Sequence, residues 1–368
     1  MNPAPVKLLG QAVWSTLGRG RQVHARALRQ SLPAADRRKV NGRPVPFRPL
    51  ASAPERDPLR VASLACAEEA LAEAGLGPGQ RERCALLLGS SCLDLPWHEA
   101  AARDDPSLII REPNYGKLAA RLAEALDLGG PCYTINTACS SSANAMLHAQ
   151  RLLAAGLCDK ALVLGVEIEN RVSLQGFAAL MLLSPGPYRP FDAERDGLIL
   201  GEAVAAAVFG GDDDAPGFRL LGGATRCDPS SPTNSDPDGV AALIGEALVT
   251  SGLEADELLA VKAHGTGTPN NDRGEAQALR LAGLERVPVT SLKPYTGHTL
   301  GACGAVECAL LLAAWDEGFL PATPGFRTQD PEVGMAPLTR PQALGPGPVL
   351  ANFFGFGGNN ASLVWTRS

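Results

Sequence analysis

The segment Lys7-Leu-Leu-Gly-Gln-Ala12 returns in altered form as Arg219-Leu-Leu-Gly-Gly-Ala224, and each copy begins the same succession of elements. In the first half a helix from Val61 closes on Ala74-Gly-Leu76 and leads into a strand ending at Gly89. In the second a helix from Val240 closes on Ser251-Gly-Leu253 and leads into a strand ending at His264-Gly265. A third match sets Cys132 to Gly156, a buried strand, a small-residue turn and an amphipathic helix, beside Val287 to Gly318. One such match between Ala-, Leu- and Gly-rich stretches carries little weight; three in one order predict two equivalent α/β halves. Apolar runs such as Cys84-Ala-Leu-Leu-Leu-Gly89 and Lys160-Ala-Leu-Val-Leu-Gly165 alternate with helical stretches over Leu59 to Leu76 and Tyr115 to Leu128, the pattern of buried sheets under helices. The polar stretch Gly210 to Pro216 divides the chain into halves 1–210 and 211–368. Residues 24 to 58, rich in Arg and Pro, read as an irregular excursion, and Asp228 to Gly239 as a long loop of the kind that lines a site.

Composition narrows the function classes. A chain of 368 residues, 45% hydrophobic and 20% charged, has material for a large core. Its net charge of −6 comes without a basic run, so nucleic acid is not an expected partner. No apolar stretch is long enough to span a bilayer, and Met1 to Gly20 lacks the pattern of a signal peptide, so no membrane role and a cytoplasmic location are expected. The nine cysteines are scattered without the close pairs that bind zinc; they read as reduced thiols, and no metal is expected.

One thiol stands out by its setting. Asn136-Thr-Ala-Cys-Ser-Ser-Ser-Ala-Asn144 follows a strand and opens a helix, which puts Cys139 where unpaired N–H groups and positive potential lower a thiol pKa and can hold an oxyanion. The same segment also fits a packed cysteine beside a serine-rich cap. His24, His98 and His148 fit surface or packing roles. His264 instead ends a buried strand and runs into Gly-Thr-Gly-Thr-Pro269, and His298 lies in a Gly/Thr turn between strand and helix. By the duplication the His298 corner is the counterpart of the Cys139 corner, and the two can meet between the halves. Lys293, at the same strand end, can balance charge there or sit in solvent. Glu275 and Glu307, in the helices after the two histidines, can pair with Lys293, orient a histidine or lie on a solvated face. Asn352-Phe-Phe-Gly-Phe-Gly-Gly-Asn-Asn360 can move or offer bare N–H groups to a ligand.

Together these motifs resemble a known family. Thr137-Ala-Cys-Ser-Ser141, His264 to Pro269, Lys293 through His298 to Gly304, and Asn352 to Asn360 look like the four active-site motifs of the β-ketoacyl-acyl carrier protein synthases, and Arg189-Pro-Phe-Asp192 with Arg195 to Glu202 matches a structural signature of that family. The resemblance runs from about residue 5 to residue 366. It implies a thiolase-like fold, two βαβαβαββ halves in five αβαβα layers, and an acyltransferase that makes C–C bonds in fatty acid, polyketide or aryl-polyene biosynthesis. Cys139 would hold the acyl group, and His264 and His298 would assist decarboxylation of malonyl. Lys293 and Glu275 would support the site. Cys139 and Phe354 would supply the oxyanion-hole N–H groups, with Phe354 also the gate, and Thr266 and Thr268 would hold the phosphopantetheine arm. No cofactor is bound; the arm arrives on acyl carrier protein, for which Arg56 and Arg60 are the candidate docking residues. A homodimer, or a heterodimer with a chain-length-factor-like subunit, is implied. The chain departs from the family in a shorter stretch between Gly89 and Tyr115, in a 228–239 loop without histidine, and in Asn359 where threonine is usual. Two rival readings remain: a thiolase-type acyl-CoA acyltransferase, which needs a second catalytic cysteine for which Cys303 and Cys308 lie too far into a helix, and a non-catalytic chain-length factor, which usually lacks the nucleophile.

Overall fold

The computed structural model describes residues 3–32, 34–104, 116–213 and 215–368. The first half contributes strands β1 (Val6–Ser15), β2 (Cys84–Gly89), β3 (Cys132–Ile135), β4 (Lys160–Glu167) and β5 (Ala203–Gly211). The second contributes β6 (Phe218–Cys227), β7 (Ala260–Lys262), β8 (Val289–Thr290), β9 (Gly347–Phe354) and β10 (Asn359–Arg367). Their spatial order is β3-β2-β4-β5-β1 in one half and β8-β7-β9-β10-β6 in the other, the same order twice. In each half the three strands farthest from the other half run parallel. The two repeats of the sequence are β1 and β6, the strands where the halves adjoin. They pair antiparallel at Val6 with Leu220 and Lys7 with Arg219, joining the halves into one continuous sheet. Both carry a register shift at the same place, before Gly10 and before Gly222.

The helices form three of five layers, the half-sheets the other two. On one outer face lie α1 (Pro58–Glu73) and α2 (Lys117–Ala125). Between the half-sheets lie α3 (Ser141–Ala154) and α6 (Cys303–Asp316), and on the other outer face α4 (Pro237–Ser251) and α5 (Pro269–Leu281). Position explains composition here. An outer helix needs one apolar stripe, whereas α6 is covered on all sides and reads Cys-Gly-Ala-Val-Glu-Cys-Ala-Leu-Leu-Leu-Ala-Ala-Trp-Asp, with every residue but the last buried. The two central helices touch through small residues. A Cβ on Gly304 would come within 2.2 Å of the Ala143 backbone nitrogen, so only glycine permits this approach.

Three expectations need correction. The strand Cys132–Ile135 is not buried; it is the edge strand of its half-sheet among the described residues, with Cys132 and Tyr133 exposed. The excursion 24–58 is not irregular throughout, since Asp36–Val40 and Arg43–Arg48 form a hairpin closed by Asn41 and Gly42, both at positive φ. The loop from Asp228 ends early: Asp236 caps α4 by accepting from the Gly239 N–H, with Pro237 in the first turn. The stretch between Gly89 and Tyr115, expected to be short, lies partly outside the described residues.

Candidate active site

Parallel strands deliver their functional groups at their C-terminal ends, where the chain leaves the sheet for a helix. Cys139 follows β3, His264 follows β7, His298 follows β8, and Phe354 ends β9 with Gly355 and Phe356 after it. These residues line one cavity of about 200 Å³, together with Leu182, Leu198, Thr266, Thr268 and, at its rim, Ser231 to Ser235, Asn270 and Asn271. The long loop 228–239 thus lines a site as its composition suggested.

The Cys139 corner is held by hydroxyls. Ala138 sits at φ 52°, and Ser141 Oγ accepts from the Thr137 N–H while donating to the Ala138 carbonyl. Ser140 Oγ donates to the Asn359 carbonyl at 2.7 Å, tying the corner to the glycine-rich loop. The expected low thiol pKa is not found. Burial pushes the Cys139 thiol up to about 11; the Phe356 N–H and the Lys293 ammonium oppose this, and Glu167 and Glu307 add to it. The opposite half covers the sulfur, and the residue is only 4% exposed.

Behind the histidines lies a buried charge cluster. The Lys293 ammonium donates to Glu307 Oε1 at 2.6 Å and lies 3.2 Å from His264 Nδ1. Glu307 Oε2 accepts from Lys262 Nζ at 2.6 Å, and Lys262 donates further to the Asn352 carbonyl and stands over the Phe353 ring. An ammonium beside Nδ1 makes that nitrogen an acceptor, so His264 carries its proton on Nε2. His298 Nδ1 accepts from the Leu300 N–H at 3.1 Å, which fixes the same tautomer. Burial, then the Lys293 charge, holds both imidazoles well below their ordinary pKa, so both are neutral donors at pH 7. Their rings meet edge to face at 5.5 Å.

The two glutamates are fully buried, not solvated, and divide the roles left open for them. Glu307 pairs with Lys293. Glu275 does not; its carboxylate accepts the backbone N–H groups of His264 and Gly265 at 2.7 and 2.8 Å, bracing the histidine turn, and burial pushes its carboxyl up to about 7. Asp272 does the same one turn earlier for Thr266, Gly267 and Phe191. Thr266 and Thr268 hydroxyls lie 2.8 Å apart at the cavity wall. The residue whose N–H acts on the Cys139 sulfur is Phe356, not Phe354. The hairpin ladder ends at Phe354, whose ring packs on His264 at 5.2 Å, and the chain turns at Gly355 before the next free N–H can face the thiol. Cys303 is not far into its helix: it is the first residue, and its thiol donates to the Cys139 carbonyl, although it does not line the cavity. Arg56 and Arg60 lie elsewhere: Arg56 is exposed, and Arg60 pairs with Asp57 beside a separate cavity. Lys262 and Asp272 were missed from the sequence, although both stand within the extended His264 motif.

Comparison with known proteins agrees with this geometry. Residues 47–215 match the model of the beta-ketoacyl synthase N-terminal domain and residues 218–327 that of the C-terminal domain. Over 282 residues the chain is 33% identical to the polyketide synthase ThaG of Burkholderia thailandensis, covering 66% of this chain and 5% of that protein. Over 276 residues it is 31% identical to 3-oxoacyl-[acyl-carrier-protein] synthase 2 of Vibrio cholerae, covering 68% of this chain and 66% of that protein. These matches therefore take in less than two thirds of either relative. Among solved structures, one of the ketosynthase ApeO in complex with its chain length factor ApeC from Xenorhabdus doucetiae superposes with a TM-score of 0.86 at 28% identity, over 99% of this chain and 98% of that one. With both domain models matched in sequence across most of its length, the chain belongs to the β-ketoacyl synthase family.

Proposed function

We propose that the protein is a 3-oxoacyl-[acyl-carrier-protein] synthase, which condenses an acyl group held on Cys139 with malonyl on a carrier protein, in fatty acid, polyketide or aryl-polyene synthesis. The observation that carries this reading is the pair of neutral imidazoles, each with Nδ1 engaged, lining the cavity of a buried thiol. Such a pair can donate two hydrogen bonds to an oxygen that becomes negative and has no base to offer.

In the first step Cys139 attacks the acyl thioester. The carrier leaves as thiol, taking up the proton that Cys139 loses, and the N–H groups of Cys139 and Phe356 hold the tetrahedral oxyanion. In the second, malonyl breaks its bond to the carboxylate carbon and releases CO2. The electron pair becomes an enolate whose oxygen receives the Nε2–H of His264 and of His298. The enolate carbon then attacks the acyl carbonyl, and Cys139 leaves as thiolate and is reprotonated. Lys293 and Glu275 keep His264 neutral and in place, while Thr266 and Thr268 hold the pantetheine arm.

The partner is acyl carrier protein, and the exposed Arg56 and Arg60 are proposed to meet its acidic surface. The edge strand β3, with no further strand beside it among the described residues, offers its outer backbone groups to a second subunit, either a copy of this chain or a chain-length-factor-like partner of the kind bound to ApeO. The halves 1–210 and 211–368 are proposed as the two units, one bringing the nucleophile and the other both histidines. No helix among the described residues is long and apolar enough to cross a membrane, in keeping with the proposed cytoplasmic location.

Cys139 favours a catalytic subunit over a chain-length factor, and the glycine turn of 355–358, where a thiolase would need its second cysteine, favours condensation over thiolysis. The test is incubation with acyl and malonyl carriers. Release of CO2 with a 3-oxoacyl carrier product, abolished in Cys139→Ala, is expected; an inert wild-type protein offered starters from C2 to C14 and aryl acids would overturn the reading.

A further inference from the structure

Glu167, the last residue of β4, is a buried carboxylate that the chemistry above leaves unused. It accepts from five donors: Ser90 Oγ at 3.3 Å, the Ser91 N–H at 2.9 Å, Ser91 Oγ at 2.6 Å, the Cys92 N–H at 2.9 Å and the Gly301 N–H at 2.8 Å. None of these is a cation. A buried charge held, among the described residues, only by neutral N–H and O–H groups is costly to assemble, and it fixes the geometry of whatever donates to it.

Four of the donors belong to the turn after β2, in the same half. The fifth belongs to the opposite half and lies three residues beyond His298. Gly301 packs directly against the Ser91 turn. A Cβ there would stand 2.3 Å from the Ser91 nitrogen, and its N–H is also within 3.0 Å of Ser91 Oγ. The residue before it, Leu300, is held at φ 43°, a conformation that costs a leucine free energy and persists only where its surroundings impose it. The Leu300 N–H is the donor that occupies His298 Nδ1.

We infer that Glu167 is the positioning residue for His298: by anchoring the Gly301 N–H from the other half it holds Leu300 in its left-handed turn, which keeps Nδ1 engaged and the working proton on Nε2. The inference rests on the proposed condensing function for its kinetic consequence but not for its structural one. Glu167→Gln offers a single acceptor oxygen and turns an amino group toward N–H donors, so it removes the anchor with little change of volume.

The experiment compares wild type, Glu167→Gln and His298→Ala. In protein carrying 15N-histidine, the wild-type His298 signal is expected to report Nε2–H alone, and Glu167→Gln a mixture of tautomers. Malonyl-carrier decarboxylation should fall at least about tenfold in Glu167→Gln, while acyl transfer to Cys139 read by intact mass stays within about threefold. A merely structural role would lower both rates alike and leave the tautomer unchanged, and that result overturns the inference. If Glu167→Gln does not fold, the wild type decides. The Gly301 amide proton should lie far downfield and exchange slowly, as for an amide bonded to a buried carboxylate, and an ordinary, fast-exchanging amide overturns the inference. A wild-type protein that shows the expected tautomer but no decarboxylation fails the proposed function instead, and leaves the positioning of His298 standing.

Discussion

The turn that carries Cys139 and the turn that carries His298 occupy equivalent places, each between the third strand of its half and a central helix of 14 residues. Each contains a non-glycine residue at positive φ, Ala138 in one and Leu300 in the other. The fifth helical position separates them: Ala145 in α3, Glu307 in α6. With Glu307 come Lys262 and Lys293, so the histidine corner rests on a buried cluster of one carboxylate and two ammonium groups, while the cysteine corner rests on serine hydroxyls. One backbone plan thus yields a neutral thiol on one side and, on the other, imidazoles kept unprotonated by burial and, after it, by the positive charge behind them. Duplication supplied the geometry, and a few buried charges divided the labour.

The comparison is broken most severely at Glu307. Glu307→Ala would leave Lys262 and Lys293 buried without a counter-charge and should cost about 3–5 kcal/mol in denaturant unfolding. A loss below about 1 kcal/mol would mean that the two corners do not differ in charge as described. A smaller effect separates the corners by pH. Because the Cys139 thiol is pushed up to about 11, its thiolate fraction, and with it alkylation by iodoacetamide, should climb about tenfold per pH unit from 7 to 10 without a plateau. The histidines, lowered well below 6.5, stay neutral as pH falls through 6, so their imidazole 15N titration curves should be flat from about pH 6 to 8, whatever Glu275, with its carboxyl pushed up to about 7, does to the rate in that range. An alkylation plateau near neutrality, or an imidazole titration near pH 6.5, would remove the contrast. The smallest expected effect concerns Tyr188, buried beside Gly267 with a hydroxyl that has no hydrogen-bond partner among the described residues. Tyr188→Phe should raise stability by up to about 1 kcal/mol, seen as a higher Tm, since it removes a polar group that burial leaves unsatisfied; a lower Tm would show the hydroxyl to be bonded.

Much of this was legible in the sequence because duplication and motif act locally. The repeats at Lys7 and Arg219 mark equivalent strands, and Cys139, His264, His298 and Lys293 meet where strand ends deliver them. Features that depend on the other half were not legible. The thiol was expected to be acidic because a helix tip is visible in sequence, whereas its cover is not. Glu275 and Glu307 looked alike as acidic residues one helix beyond a histidine, yet one bonds backbone and the other two lysines. The hairpin in residues 24–58 was announced by Asn41-Gly42 and could have been read. The displacement of the facing N–H from Phe354 to Phe356 depends on where the β9–β10 ladder ends, which a run of Phe and Gly does not declare.

The division of labour is tested most directly by measuring both halves of the reaction on one protein, His298→Ala, against wild type. After incubation with an acyl carrier thioester, intact mass is expected to place one acyl group on Cys139 in both proteins. On addition of malonyl carrier, only wild type should release CO2 at full rate, with His298→Ala slower by about 10²–10³-fold. A variant that cannot be acylated, or one that decarboxylates malonyl as fast as wild type, would contradict the assignment of the two corners.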